Sequence, residues 1–237
     1  MSAARSYPEG APDAPVPFTP MVPGRSSLLR RVLRPSLDVW LRLRREGLEH
    51  VPDSGPVLVA ATHRSHADSV ALGAAIKRPV HFLGDQKLMA WPVLGRQLPR
   101  LGMVPLRRGE ADASAMDILS ILLEDGGCVV VYPEGSRSRD GKVHRLRSGV
   151  ARLAAEHQVP VVPAAVLDIE QRWPIGGRPR LWGVPVTVRF GPAIDPPQTQ
   201  PRSRRVFNDH LQQVLADLAD TSIALDFSPF HGGEESA

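Results

Sequence analysis

Three stretches of this chain are apolar at almost every position: PVLVAAT (56–62), CVVVYPE (128–134) and VPVVPAAVLD (159–168). A strand with one face in water alternates apolar and polar side chains, so an unbroken valine-rich run must be covered on both faces. Sheets of that kind are parallel, with helices crossing between their strands. The intervening sequence supplies such helices. DSVALGAAI opens near Asp68, ADASAMDILSILLEDG is amphipathic and stopped by glycine, SGVARLAAEHQ precedes the 159–168 run, and SRRVFNDHLQQVLADLADTSIAL comes last. VHFLG, MVPLRR and PVTVRFG read as further strands, and KLMAWPVLGRQLPRLG as helix broken at Pro92. The expectation is an α/β fold: a single domain over residues 51–225, its central sheet mostly parallel and covered by helices on both faces.

The ends read differently. Residues 1–24 are dense in proline and have no apolar core, which predicts a disordered or loosely docked arm rather than a secretory signal. Residues 25–50 predict a basic amphipathic helical segment preceding the domain. Leu28, Leu29, Val32 and Leu33 fall at helical spacing, Pro35 interrupts or kinks the run, and Leu37, Trp40, Leu41 and Leu43 continue it among arginines 30, 31, 34, 42, 44 and 45. Two readings stand side by side: a helix lying in a lipid headgroup layer, or a surface helix packing its leucines on the core. Residues 226–237 read as a flexible tail.

A net charge of +4, carried mostly by arginine, suits anionic partners. With only 5% aromatic residues the chain lacks stacking platforms, so no nucleic-acid partner is expected. The single cysteine, Cys128, excludes an internal disulfide framework and reads as a small buried residue. No uncharged apolar stretch approaches the ~18 residues that span a bilayer. The expected location is cytoplasmic, peripheral on the inner face of the cell membrane.

Chemistry in such folds gathers in loops at the carboxyl ends of strands. Three polar loops are so placed: THRSHAD, RRGEAD and PEGSRSRDGKVHRLRSG. A metal-dependent hydrolase built on His63, His66 and Asp68 is one alternative, although His81, His144 and His157 are too scattered to add ligands, and no metal or cofactor is expected. A non-enzymatic basic membrane-binding module is another. Serine chemistry lacks its G-x-S-x-G elbow, and no phosphate-cradling P-loop is present. A histidine base with an orienting carboxylate remains. His63 and Asp68, five apart, would lie about 140° apart around a single helix. They meet only if the chain turns from strand into helix between them, and the sequence has that form. Asp68 then accepts from one ring nitrogen and leaves the other as base. His66 is the rival.

THRSHAD resembles the H-x4-D motif of the lysophospholipid and glycerol-phosphate acyltransferases, the 1-acylglycerol-3-phosphate acyltransferase family. GMVPLRRG (102–109), YPEGSRS (132–138) and VPVVPAAV (159–166) resemble its further blocks in order, so the likeness covers roughly residues 50–190. It implies an O-acyltransferase of phospholipid biosynthesis. The donor would be an acyl-CoA or acyl carrier protein thioester, and the acceptor a lysophospholipid or similar phosphorylated hydroxyl compound at a membrane surface. His63 would be the general base for direct attack and Asp68 its orienter. Arg108 and Arg137 would hold the acceptor phosphate, with Glu134, Gly135 and Ser136 shaping that pocket. Arg107 and Arg147 stand as further candidates. Thr62, Arg107, Ser136 and Arg147 depart from the family's commoner asparagine, acidic residue, threonine and lysine.

Overall fold

The computed structural model describes residues 25–85, 88, 90, 95, 97–106 and 111–229. The three apolar runs become β2 (Val57–Ala61), β5 (Cys128–Val131) and β6 (Val161–Leu167). With β1 (Arg44–Glu46), β3 (Val80–Asp85), β4 (Met103–Leu106) and β7 (Thr187–Phe190) they form a seven-stranded sheet in the order β1-β7-β6-β2-β5-β3-β4. Every pairing is parallel except β6 with β7. The expected α/β architecture is therefore present.

Helices α1 (Arg25–Leu41), α2 (Asp68–Ala75), α3 (Ala111–Glu124), α4 (Gly149–His157), α5 (Ile169–Arg172) and α6 (Pro201–Leu218) complete the chain. Side chains alternate across a strand, and β2 displays this directly. Leu58 and Ala60 join the core beneath α3, α4 and α6, while Val57, Val59 and Ala61 join the opposite core with Leu41 and the α2 residues Ala71 and Leu72. Both faces of the strand are sealed, which is why the run carries no polar residue. Cys128 is buried in the second core, as a small residue should be.

Three boundaries differ from expectation. The helical segment predicted over 25–50 runs through Pro35 but ends at Leu41, and residues 44–46 form a strand paired in parallel with β7. The sheet thus begins before residue 51. Leu41 is fully buried, and Trp40 and Leu43 pack against the same core. Two of the arginines also turn inward: Arg34 donates to the carbonyls of Ala74 and Ala75 at 2.8 and 3.0 Å, and Arg45 to that of Ala74 at 3.1 Å. They cap the C-terminus of α2, where orphan carbonyls and the helix dipole favour cations. The C-terminal half of α1 is therefore a core-packing helix.

The last helix stops at Leu218, short of the predicted 225, where Asp220 takes a left-handed φ of 49°. Beyond it the chain lies along the loop after β5. Val143 donates to the Ser222 carbonyl, Ala224 to that of Val143, and Arg145 to that of Asp226. Residues 226–229, expected in a flexible tail, thus belong to this docked strap; 230–237 lie outside the described residues, as does the 1–24 arm.

Candidate active site

β2 and β5 are neighbours in parallel register, with Val59 opposite Val130 and Ala60 opposite Val131. Their carboxyl ends therefore deliver two loops side by side, 62–67 and 132–148. A backbone bond from Ser138 N–H to the His63 carbonyl, 2.8 Å, stitches them together.

The turn from β2 into α2 folds around one carboxylate. Asp68, the first residue of α2, is fully buried, and its Oδ2 accepts from His63 Nδ1 at 2.7 Å, Arg64 N–H at 2.8 Å and Ser65 N–H at 2.9 Å. Two amides donating to one oxygen fix the carboxylate in place at the helix N-terminus. The same oxygen fixes the imidazole with Nδ1 as donor, leaving Nε2 with its lone pair. His63 is partly exposed, so Nε2 can be reached from outside. The polar bend between strand and helix makes the five-residue separation a direct contact, as its sequence suggested.

His66 lies elsewhere. Arg137 Nη1 approaches its ring, 2.6 Å from Nδ1, and the Trp173 ring lies 5.7 Å away, centroid to centroid. The carboxylate thus pairs with His63 rather than the rival. A guanidinium against the His66 ring also disfavours the metal-hydrolase reading, because it adds a fixed positive charge where a cation would have to sit. Among the described residues no group of three His, Cys, Asp or Glu side chains converges to hold a metal.

Several residues of the site escaped sequence reasoning. Tyr132 stacks on His63, ring centroids 3.9 Å apart and planes 16° from parallel, and its hydroxyl meets Ser69 Oγ at 2.7 Å. Burial, reinforced by the charge of Asp68, pushes the phenol well above its ordinary range, so it stays protonated. Ser65 Oγ donates to the Trp173 carbonyl at 2.5 Å, tying the loop to the end of α5. The available signal was an aromatic residue at the carboxyl end of a run adjacent to β2, visible only once the strand order is known.

The loop after β5 holds five of the predicted site residues. The Glu134 carboxylate does not face outward: it is buried, accepting from the His144 N–H at 2.9 Å and from the His63 N–H. Burial raises it to about 7 against the partial relief of these amides. It acts as a tie between the two loops, not as part of an open pocket wall. Gly135 has φ +78°, and a Cβ there would lie 2.8 Å from Arg147 Cδ, so the Arg147 side chain lies across a position only glycine permits. Ser136 Oγ donates to the Ser228 carbonyl at 3.4 Å, and the Arg147 guanidinium lies 5.6 Å above the Phe227 ring. Arg137 is half-exposed at the mouth, beside His66. Arg107 and Arg108 lie outside the described residues. No helix among the described residues is long and apolar enough to cross a membrane.

Comparison with known proteins gives a family and a fold. The family model described as Acyltransferase matches residues 42–167. A chloroplastic 1-acyl-sn-glycerol-3-phosphate acyltransferase of Arabidopsis thaliana, LPAT1, is 30% identical over 145 residues, 60% of this chain and 40% of its own. The human 1-acyl-sn-glycerol-3-phosphate acyltransferase alpha is 27% identical over 132 residues, 52% of this chain and 44% of its own. The chain thus spans about two fifths of the length of these relatives. The crystal structure of the 1-acyl-sn-glycerophosphate acyltransferase PlsC of Thermotoga maritima superposes with a TM-score of 0.61 at 22% identity, covering 84% of each chain, a likeness of fold.

Proposed function

Since the chain belongs to the acyltransferase family, we propose that it transfers a fatty acyl group from a thioester, acyl-CoA or acyl carrier protein, to the free hydroxyl of a 1-acylglycerol-3-phosphate-type acceptor. The observation that carries this reading is the 2.7 Å contact between His63 Nδ1 and the buried Asp68 carboxylate, which leaves Nε2 free to act as base. Nε2 takes the acceptor's hydroxyl proton as the oxygen attacks the thioester carbonyl. The tetrahedral intermediate collapses with loss of the thiolate, which regains the proton from the imidazolium, giving an ester and a free thiol. Asp68 stabilises the transient imidazolium. A base so positioned contributes ~10²–10⁴ in rate. No covalent acyl-enzyme is needed, in keeping with Cys128 being buried in the core.

Arg137, half-exposed beside the His63 loop, would meet the acceptor phosphate, with Arg108 as its proposed companion. The acceptor resides in a bilayer, and the protein meets it there as a peripheral enzyme. The direct test incubates purified protein with labelled acyl-CoA and acyl carrier protein thioesters and lysophosphatidate vesicles, then identifies the lipid product. No transfer from either donor would refute the proposal. Arg137→Ala should raise the acceptor KM more than the donor KM, with lysine an incomplete rescue; equal effects on both would remove Arg137 from phosphate binding.

A further inference from the structure

The loop from Trp173 to Val186, between α5 and β7, is built around a buried cation. Arg172 is almost wholly buried, and its guanidinium donates to the carbonyls of Val184 at 3.1 Å, Leu181 at 3.1 Å and Gly183 at 3.0 Å. Further bonds hold the flanks: Arg180 N–H to the Arg172 carbonyl at 2.8 Å, Trp40 Nε1 to the Arg180 carbonyl at 3.0 Å, and Trp173 Nε1 to the Gly177 carbonyl at 3.1 Å. A loop so tied has its backbone specified. Yet its two largest apolar side chains at the tip face solvent, Leu181 75% and Trp182 87% exposed. Exposed Arg178 and Arg180 precede them, and no acidic residue occurs between 171 and 186.

We propose that Leu181 and Trp182 form an anchor that inserts into an anionic lipid surface, with Arg178 and Arg180 on its headgroups. The charge complement argues for lipid: a leucine–tryptophan tip carried next to cations alone suits the junction of acyl chains and anionic headgroups, where tryptophan concentrates. Position argues for it too. Trp173, at the root of the loop, touches the His66 and Ser65 bend, so a membrane-seated tip holds the His63 site against the surface. The inference rests on the proposed function only for its purpose, the reach to a bilayer-resident acceptor.

The test uses the full chain and sedimentation with vesicles of phosphatidylcholine alone or mixed equally with phosphatidylglycerol. The wild type should bind the mixed vesicles, more weakly as salt rises. Leu181→Ser with Trp182→Ser should lose about tenfold or more in partitioning, the scale expected for withdrawing two large apolar side chains. Arg178→Ala with Arg180→Ala should lose several-fold on mixed vesicles only. Val206→Ser, on exposed α6, should change nothing. All four proteins should keep their melting temperature and their rate on a short-chain, water-soluble acceptor. Absence of wild-type binding, or undiminished binding by the serine pair, overturns the anchor. So does a serine pair that dissociates a dimer while still binding vesicles, which would give the tip to a second copy. Vesicle binding lost on mutation in a protein inactive on every acceptor would uphold the anchor and sink the acyltransferase reading.

Discussion

The bend at 62–68 and the loop at 173–186 solve one problem with opposite charges. Each is an irregular segment whose backbone polar groups need partners, and each gathers them on a buried ionic side chain. Asp68 collects two amide N–H groups and the His63 ring; Arg172 collects three carbonyls. The first arrangement leaves a polar ring nitrogen facing outward, the second a leucine and a tryptophan. A buried ion that bonds the backbone thus fixes geometry, and the neighbouring residue types decide whether the fixed element does chemistry or contact.

Breaking the first centre should have the largest effect. His63→Ala should lower the transfer rate by ~10²–10⁴ or more while unfolding stays near wild type, because the ring is partly exposed. Asp68→Asn should approach the same loss, since the amide, even with its oxygen where Oδ2 now accepts, carries no charge to stabilise the imidazolium. His66→Ala should be milder, and a dead His66→Ala beside an active His63→Ala would reverse the assignment.

Breaking the second centre should be felt first in stability. Arg172→Met leaves three carbonyls without their donor and should cost about 3–5 kcal/mol in unfolding free energy. Trypsin should then cut after Arg180 faster than in wild type, while activity on a soluble acceptor falls far less than for His63→Ala. Equal losses in both assays would mean that the two regions are not separate devices. Removing residues 1–45 should likewise misfold the chain, because it strips Leu41 from the core and the arginine caps from α2.

Glu134 extends the comparison to a buried carboxylate that gathers amides without a histidine ring. Its pKa is raised from 4.5 to about 7 by burial, so the folded state holds its proton more tightly than the unfolded chain. This stabilisation of the protonated form is fully present below about pH 4.5 and disappears as pH rises through about 7. The wild type should lose about 2–3 kcal/mol from this source across that window. Glu134→Gln should flatten the slope, read from denaturant titrations at several pH values. The smallest effect belongs to Tyr132→Phe, which keeps the stack on His63 and removes only the hydroxyl bonded to Ser69. It should cost about 1 kcal/mol in stability and a fewfold in rate at most.

The sheet was legible in the sequence because covering on both faces leaves an unmistakable apolar run, as in VLVAA and CVVV. The edge strand β1 was not. Arg-Arg-Glu carries no apolar signal, and its extended form comes from pairing with β7. The amphipathic pattern of α1 showed a face without showing what covers it, and only the burial of Leu41 assigns that face to the core. The His63–Asp68 contact could be read because both residues flank one local turn. Tyr132 could not, because its place against His63 depends on β2 and β5 being neighbours, although 69 positions separate the two residues. The 173–186 loop gave no periodic pattern, and its significance lies in which way two side chains face.

The strap at 222–229 sets an order in time. Val143 is paired with Ser222 and Ala224, Arg145 bonds the Asp226 carbonyl, and Ser136 reaches Ser228. The loop that presents Arg137 therefore borrows its outer support from a stretch about ninety residues downstream. On the ribosome, β2, α2 and β5 emerge and can pair well before that stretch is made. A nascent chain halted before residue 222 would carry the His63–Asp68 pair beside an unbraced arginine loop, and the site reaches its final form only when synthesis has passed Ser228.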